Sequence, residues 1–228
     1  MPYLSPSSPG KETTLITNSV DNGKADRQQL RTRIRMRRSR MTRAERAACA
    51  ARLAENAARE LLVRNSRRIA VYLPINGEID PRPLMDCLAS LGKTLYLPIL
   101  VTFSERRLWF SAYTPGDPLV YNRFGILEPE RVPCRRIKAV ALDLVLLPLV
   151  AFDAAGHRLG MGGGYYDHCF AFLNRRKHWR KPRLMGLAYE FQRQPIIESE
   201  PWDVALDAIA TEQRVYHCRG IKPGQDRG

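Results

Sequence analysis

The sequence predicts a single compact α/β domain whose mostly parallel central sheet is flanked by helices and preceded by an N-terminal helical pair. Three features lead there. Ile69 to Leu73 and Thr94 to Leu97 are short strand-forming runs separated by a helical stretch, the strand, helix, strand unit of a parallel sheet. Leu144 to Phe152 is apolar almost throughout, as a strand covered on both faces must be. Before Arg68 the period is helical instead. With 228 residues, 44% of them hydrophobic, the chain can bury one full core, which excludes a purely disordered protein.

Each element has a local cause. Residues 1–25 mix Ser, Thr, Pro, Asn and Gly with scattered apolar residues and are expected as a disordered tail, 26–218 as the domain and 219–228 as a frayed end. The tail lacks the continuous apolar stretch of a secretory signal; an organelle transit peptide stays open, with Glu12, Asp21 and Asp26 against it. Arg27 to Arg40 consists of good helix formers, with Leu30, Ile34, Met36 and Met41 on a narrow apolar side. Thr42 and Glu45 form a capping box, and an alanine-rich second helix runs on to about Val63. The first strand ends at Pro74, Asn76 to Asp80 is a loop, and Asp80 caps a helix with Pro81 at its first position. That helix ends near Gly92. Leu108 to Tyr113 is a further strand, and Pro148 should weaken or end the central one. A helix starts at Tyr165, and Met185 to Tyr189 and Ala208 to Thr211 are the last strands.

The formal charge is +14, and residues 27–46 supply +8 of it through nine arginines against Glu45. Such a block suggests an anionic partner, a nucleic acid or a polyanionic small molecule, unless it is only a solvated helix face. The longest apolar runs are too short to span a bilayer, so no membrane partner is expected. Cys49, Cys87, Cys134, Cys169 and Cys218 are odd in number and never spaced Cys-x-x-Cys, which fits neither a disulfide framework nor a zinc site and makes a reducing cytoplasm the expected location. His157, His168, His178 and His217 are scattered and receive no role.

The segment richest in chemistry is Arg158, Leu159, Gly160, Met161, Gly162, Gly163, Gly164, Tyr165, Tyr166, Asp167. Glycines between a strand and a helix let the backbone take positive φ and turn several amides toward one concave site, where an anion can sit, helped by the helix that follows. The spacing is neither the dinucleotide fingerprint nor a P-loop. Taken alone, the loop is a tight turn about as readily as a phosphate cradle. Its neighbours tip the balance: Arg158 offers a guanidinium for phosphate, the tyrosines offer flat surfaces for a heteroaromatic ring, and Asp167 offers a hard oxygen for magnesium. One of the two tyrosines could equally be ordinary core.

The run from Leu149 through Asp153, Gly156 and Arg158 to Asp167 resembles the signature of the 5-formyltetrahydrofolate cyclo-ligase family. The resemblance extends to Arg27-x-x-Leu30-Arg31, Asn76-Gly-Glu-Ile-Asp80, Gly92-Lys-x-x-x-Leu-Pro98, Phe124-Gly-Ile-x-Glu-Pro129 and Pro201-Trp-Asp-x-x-Leu-Asp207, about residues 27 to 216 in all. It implies an enzyme that uses ATP and Mg2+ to close 5-formyltetrahydrofolate, with or without a polyglutamate tail, into 5,10-methenyltetrahydrofolate through a phosphorylated formyl group. It further implies that ATP is held by Arg27, Gln28, Gln29, Leu30, Arg31 and the segment Arg158 to Tyr166. The folate falls to Leu73, Glu78 and the segment Met161 to Tyr165, and magnesium to Asp167 and Asp203. The pterin edge presents an amino group beside a ring N–H, a donor pair that a carboxylate such as Glu78 can accept with both oxygens; Glu78 could also be a loop acid that faces water. Met161 stands where many members carry arginine, so one phosphate contact is either missing or supplied by Arg158 or the N-terminal arginines.

The alternative reading is a basic RNA-binding protein without catalysis. Against it, the segment Arg31 to Arg46 contains no aromatic residue to stack on bases. Nucleic acid is therefore not the expected partner, and a monomer is.

Overall fold

A computed structural model of the chain describes residues 13–100, 108–122, 125–130, 136–176 and 181–218. It begins with α1 (Thr13–Arg40). Residues 13–25, expected as tail, are thus helical, because a helix nucleated over Arg27 to Arg40 propagates at little cost per residue. Residues 1–12 and the expected frayed end 219–228 lie outside the described residues, as do Cys134, His178 and the expected motif residue Phe124. On α1, Ile34 and Leu30 pack against Val150, Ala151, Leu159 and Ile197. Met36, expected on the apolar side, is exposed.

The chain continues as α2 (Arg43–Ala58), α3 (Leu61–Arg64), β1 (Arg68–Ala70), α4 (Arg82–Ser90), β2 (Thr94–Leu100), β3 (Leu108–Tyr113), β4 (Leu119–Tyr121), β5 (Leu127–Pro129) and β6 (Arg136–Ile137). Then come β7 (Leu144–Pro148), β8 (Ala151–Phe152), β9 (Arg158–Leu159), α5 (Tyr165–Phe170), β10 (Arg183–Leu187), β11 (Ala208–Ala210) and β12 (Val215–His217). The capping box forms as expected: Thr42 Oγ1 accepts from the Glu45 amide and Glu45 Oε2 accepts from the Thr42 amide at 2.7 Å. The alanine-rich helix stops at Ala58, not Val63. Glu60 turns extended and its carbonyl starts α3, which buries Val63 and leaves Leu61 outside. Helix α4 starts one residue later than expected, since the Asp80 carboxylate is taken by the Arg82 amide and guanidinium.

One sheet organises the fold, in the order β12-β11-β10-β7-β1-β2-β3-β6. The pairs from β11 through β10, β7 and β1 to β2 are parallel, and the outer strands β12, β3 and β6 run antiparallel. This is the mostly parallel sheet that the sequence predicts. Buried residues of α2 and α4 cover one face and those of α5 and the following turn the other. The apolar run from Leu144 splits at Pro148, which has no amide hydrogen for the ladder. Its far end, β8, pairs with β9 instead and brings Arg158 and the glycines back over the sheet.

Strand order sets the position of the site. From β1 the chain moves to β2 on one side, and later from β7 to β10 and β11 on the other. In an open α/β sheet such a switch point leaves a crevice beyond the carboxyl ends of the strands. Tyr72 and Leu73 after β1, Pro148 at the end of β7, and Leu97, Pro98 and Leu100 in β2 line a cavity there.

Candidate active site

The cavity has a volume of about 560 Å³, the size expected for a small-molecule site. Arg27, Arg31, Leu73, Glu78, Asp167, Asp203 and every residue from Arg158 to Tyr166 line it. Segments up to 176 residues apart in sequence therefore meet at one place, from Arg27 to Asp203. Gln28, Gln29 and Leu30 do not reach it. Gln28 and Gln29 line a separate groove along α1, and Leu30 packs against the core beneath the glycine loop, so helix geometry turns these three away while Arg27 and Arg31, four residues apart, face inward.

The glycine loop is open. Gly162 and Gly164 have φ of 101° and 64°, a region costly for any side chain bearing Cβ, and a Cβ on Gly160 would meet nothing within 4 Å. Helix α5 has only six residues, so the amides of the loop, more than a helix dipole, would face an anion. Arg158 lines the cavity with its side chain 6% exposed, donating to Asp167 Oδ1 and to the Val204 carbonyl. The guanidiniums over the loop come from α1. Arg31 Nε donates to the Gly160 carbonyl at 3.0 Å, and Arg35 Nη2 lies 3.7 Å from the Met161 sulfur. Burial holds the Arg31 pKa down, and so do the like charges of Arg27 and Arg35, so an anion here would relieve a local excess of positive charge. Arg27 is anchored across the cavity mouth by Glu200, at 3.3 Å, and by the Glu198 carbonyl.

Beside the loop, Val204 N and Arg158 both donate to Asp167 Oδ1, and Glu200 N donates to Asp203 Oδ2. Asp167 Oδ2 and Asp203 Oδ1 accept no hydrogen bond among the described residues. Burial raises the Asp203 pKa, and the neighbouring Asp167 charge raises it further. Two neighbouring carboxylates that each keep an oxygen available suit a magnesium ion, which asks for one or two carboxylates plus water and phosphate oxygens.

Glu78 lines the apolar side of the cavity with Leu73, Ile75, Leu97, Ile126 and Leu127. It is 5% exposed, so it is not an acid that faces water. Its Oε2 accepts from the Ile75 amide at 3.2 Å. Burial pushes its pKa from 4.5 to about 7, against the opposing pull of that amide and of Arg38. Between 4.5 and about 7 the native protein keeps a proton that the unfolded chain has released, so stability falls as pH rises through this window. The penalty above it is at most about 3 kcal/mol. Glu78→Gln should therefore melt several degrees above the parent at pH 8 and nearly level with it at pH 5, which calorimetry at the two pH values would test.

Tyr165 and Tyr166 both line the cavity; Tyr166 also stacks on Phe170, 6.3 Å between centroids, and burial raises its hydroxyl pKa. The sequence reading missed the remaining walls, Tyr72, Leu100, Leu108 and Trp202, because they are set by strand order. Trp202 alone had a signal: it is 64% exposed at the rim, and it adjoins Asp203 in the Pro-Trp-Asp motif.

An open α/β sheet with one deep crevice at its switch point, walled by a glycine loop, guanidiniums and a buried acid, defines a single-domain enzyme of small-molecule metabolism. The 5-formyltetrahydrofolate cyclo-ligase family matches residues 23–212, and the chain belongs to that family. The 5-formyltetrahydrofolate cyclo-ligase of Haemophilus influenzae is 36% identical over 182 residues, which is 79% of this chain and 94% of that protein. The protein of the same name from Escherichia coli is 40% identical over 148 residues, 65% of this chain and 79% of its own. The structure is similar to that of Aquifex aeolicus 5,10-methenyltetrahydrofolate synthetase, with a TM-score of 0.70 and 28% identity across 89% of this chain and 99% of the other.

Proposed function

We infer that this chain converts 5-formyltetrahydrofolate and ATP into 5,10-methenyltetrahydrofolate, ADP and phosphate. The observation that carries the reading is the joining, in one cavity, of a glycine loop under the Arg31 guanidinium to an apolar slot holding the buried Glu78. Triphosphate suits the first part and the pterin edge the second. Tyr165 and Tyr166 offer ring surfaces in the same cavity.

The chemistry asks the residues mainly to hold and orient. The formyl oxygen attacks the γ-phosphorus, the bond to the β-phosphate oxygen breaks, and ADP leaves. The neighbouring arylamine nitrogen then bonds to the formyl carbon, loses its proton, and phosphate departs with the oxygen. Arg31 and the loop amides bind the phosphates, and Glu78 fixes the pterin so that the formyl oxygen points at them. Magnesium at Asp167 and Asp203 would supply the positive charge that offsets the transferring phosphoryl group. No titrating His is needed: His157 Nδ1 is held by Asp153 at 2.9 Å and His217 lies by Glu60.

The RNA-binding alternative weakens on geometry. Arg27 and Arg31 line the cavity and Arg38 is buried, so three arginines of the basic block are not part of its outer surface. No helix among the described residues is long and apolar enough to cross a membrane. Cys49, Cys87, Cys169 and Cys218 are free thiols, in keeping with a reducing cytoplasm, and we keep the monomer as the working state. The test is the absorbance of the methenyl product with folate, ATP and magnesium supplied together or singly omitted. The reading expects product only with all three. ATP hydrolysis that ignores folate would contradict it.

A further inference from the structure

Arg38 is the largest fully buried side chain, at 1% exposure, and no carboxylate pairs with it among the described residues. Its Nη2 donates to the Leu149 carbonyl, while Nε and Nη1 are buried with no hydrogen-bond partner. A guanidinium kept from water with two idle donors is unfavourable, and an apolar side chain of similar size would serve packing better. Something other than packing must account for it.

The surroundings supply the reason. A Cβ on Gly77, whose φ is 71°, would lie 3.2 Å from Arg38 Cβ, so the turn that carries Glu78 rests directly on α1 at this residue. Glu78 accepts from the Ile75 amide of its own turn and interacts electrostatically with Arg38 from α1, Tyr72 after β1 and Tyr166 from α5. Arg38 interacts in the same way with Glu78, Tyr72, Tyr189 and, on its own helix, Arg35. The tyrosine hydroxyls stay neutral, because burial raises the pKa of each. That leaves Arg38 as the cation facing Glu78 among the described residues.

We propose that Arg38 is a positioning residue for the folate, seating the Gly77 turn so that the Glu78 carboxylate stands where it can accept the pterin's paired donors. The proposal rests on the reading of Glu78 as the pterin acceptor and goes beyond it by naming the residue that seats that acceptor and opposes its protonation. The sign is definite: Arg38 pulls the Glu78 proton affinity down, so its loss lets the proton stay on at neutral pH, and a protonated acid repels one of the two donors.

The experiment uses the full chain and measures the dissociation constant of 5-formyltetrahydrofolate against pH by calorimetry, with ATP affinity alongside. Arg38→Met is expected to weaken folate binding about tenfold at pH 7 and to move the pH limb upward by about one unit, so that binding recovers in alkali while ATP affinity holds. Arg38→Lys should retain most of the parent profile. In a Glu78→Gln background the limb should vanish, and Arg38→Met should weaken folate no further. If Arg38→Met fails to fold, Arg38→Gln, which can still donate to the Leu149 carbonyl, takes its place with the same expected shift. A neutral residue at position 38 that leaves the folate profile where the parent has it, while Glu78→Gln weakens binding, overturns the proposal and leaves the reading of Glu78 standing. Parental folate binding by Glu78→Gln overturns both.

Discussion

Asp167→Asn is expected to lower the ATP-dependent formation of methenyl product by about a hundredfold or more, with folate affinity unchanged. The substitution removes charge and little else. An asparagine oxygen can still accept from Arg158 and from the Val204 amide, the contacts that now fall on Asp167 Oδ1, so the loop should keep its shape. What disappears is one of two adjacent carboxylates proposed to hold magnesium against the transferring phosphoryl group. The expected signature in initial rates is a higher magnesium requirement and a lower kcat. The parent rate at every magnesium concentration would remove Asp167 from the metal site. A loss of folate affinity would instead mean that the Arg158 contact, buried at 6% exposure, had been the important one.

Glu78→Gln is expected to raise the KM for folate by about a hundredfold while the KM for ATP stays within about twofold. A carboxylate meets two donors with two acceptor oxygens; an amide meets them with one acceptor and one donor, leaving a buried N–H opposed to another. The same change should stabilise the fold at pH 8, since it removes a buried charge. Lost binding together with gained stability separates a binding residue from a structural one. Steady-state kinetics with each substrate varied would check it, and an unchanged folate KM would refute it.

The sequence disclosed elements whose cause is local. Thr42 and Glu45 specify a helix start through atoms three residues apart, and Pro148 ends a strand because it lacks a hydrogen. The glycines before Tyr165 announced an open loop because, without Cβ, they take positive φ. It could not disclose what depends on strand order. That Leu97, Leu100 and Leu108 would wall the cavity follows from β2 lying beside β1, and β12 escaped notice because a three-residue edge strand has almost no pattern of its own. Nor could it separate Arg31 from Arg38. Both are arginines on one helix, yet the first meets the glycine loop and the second is sealed beneath the Gly77 turn. Likewise nothing in the sequence joins Arg158 to its partners, Asp167 and the Val204 carbonyl.

The central claim is that one cavity holds a triphosphate on the glycine loop and a pterin on Glu78 at the same time. A crystal structure with a non-hydrolysable ATP analogue, magnesium and 5-formyltetrahydrofolate tests it most directly. The account predicts phosphates against the amides of Gly160 to Gly164 under Arg31, with the formyl oxygen facing the γ-phosphorus. Nucleotide bound outside this cavity, or a pterin that leaves Glu78 untouched, would contradict it.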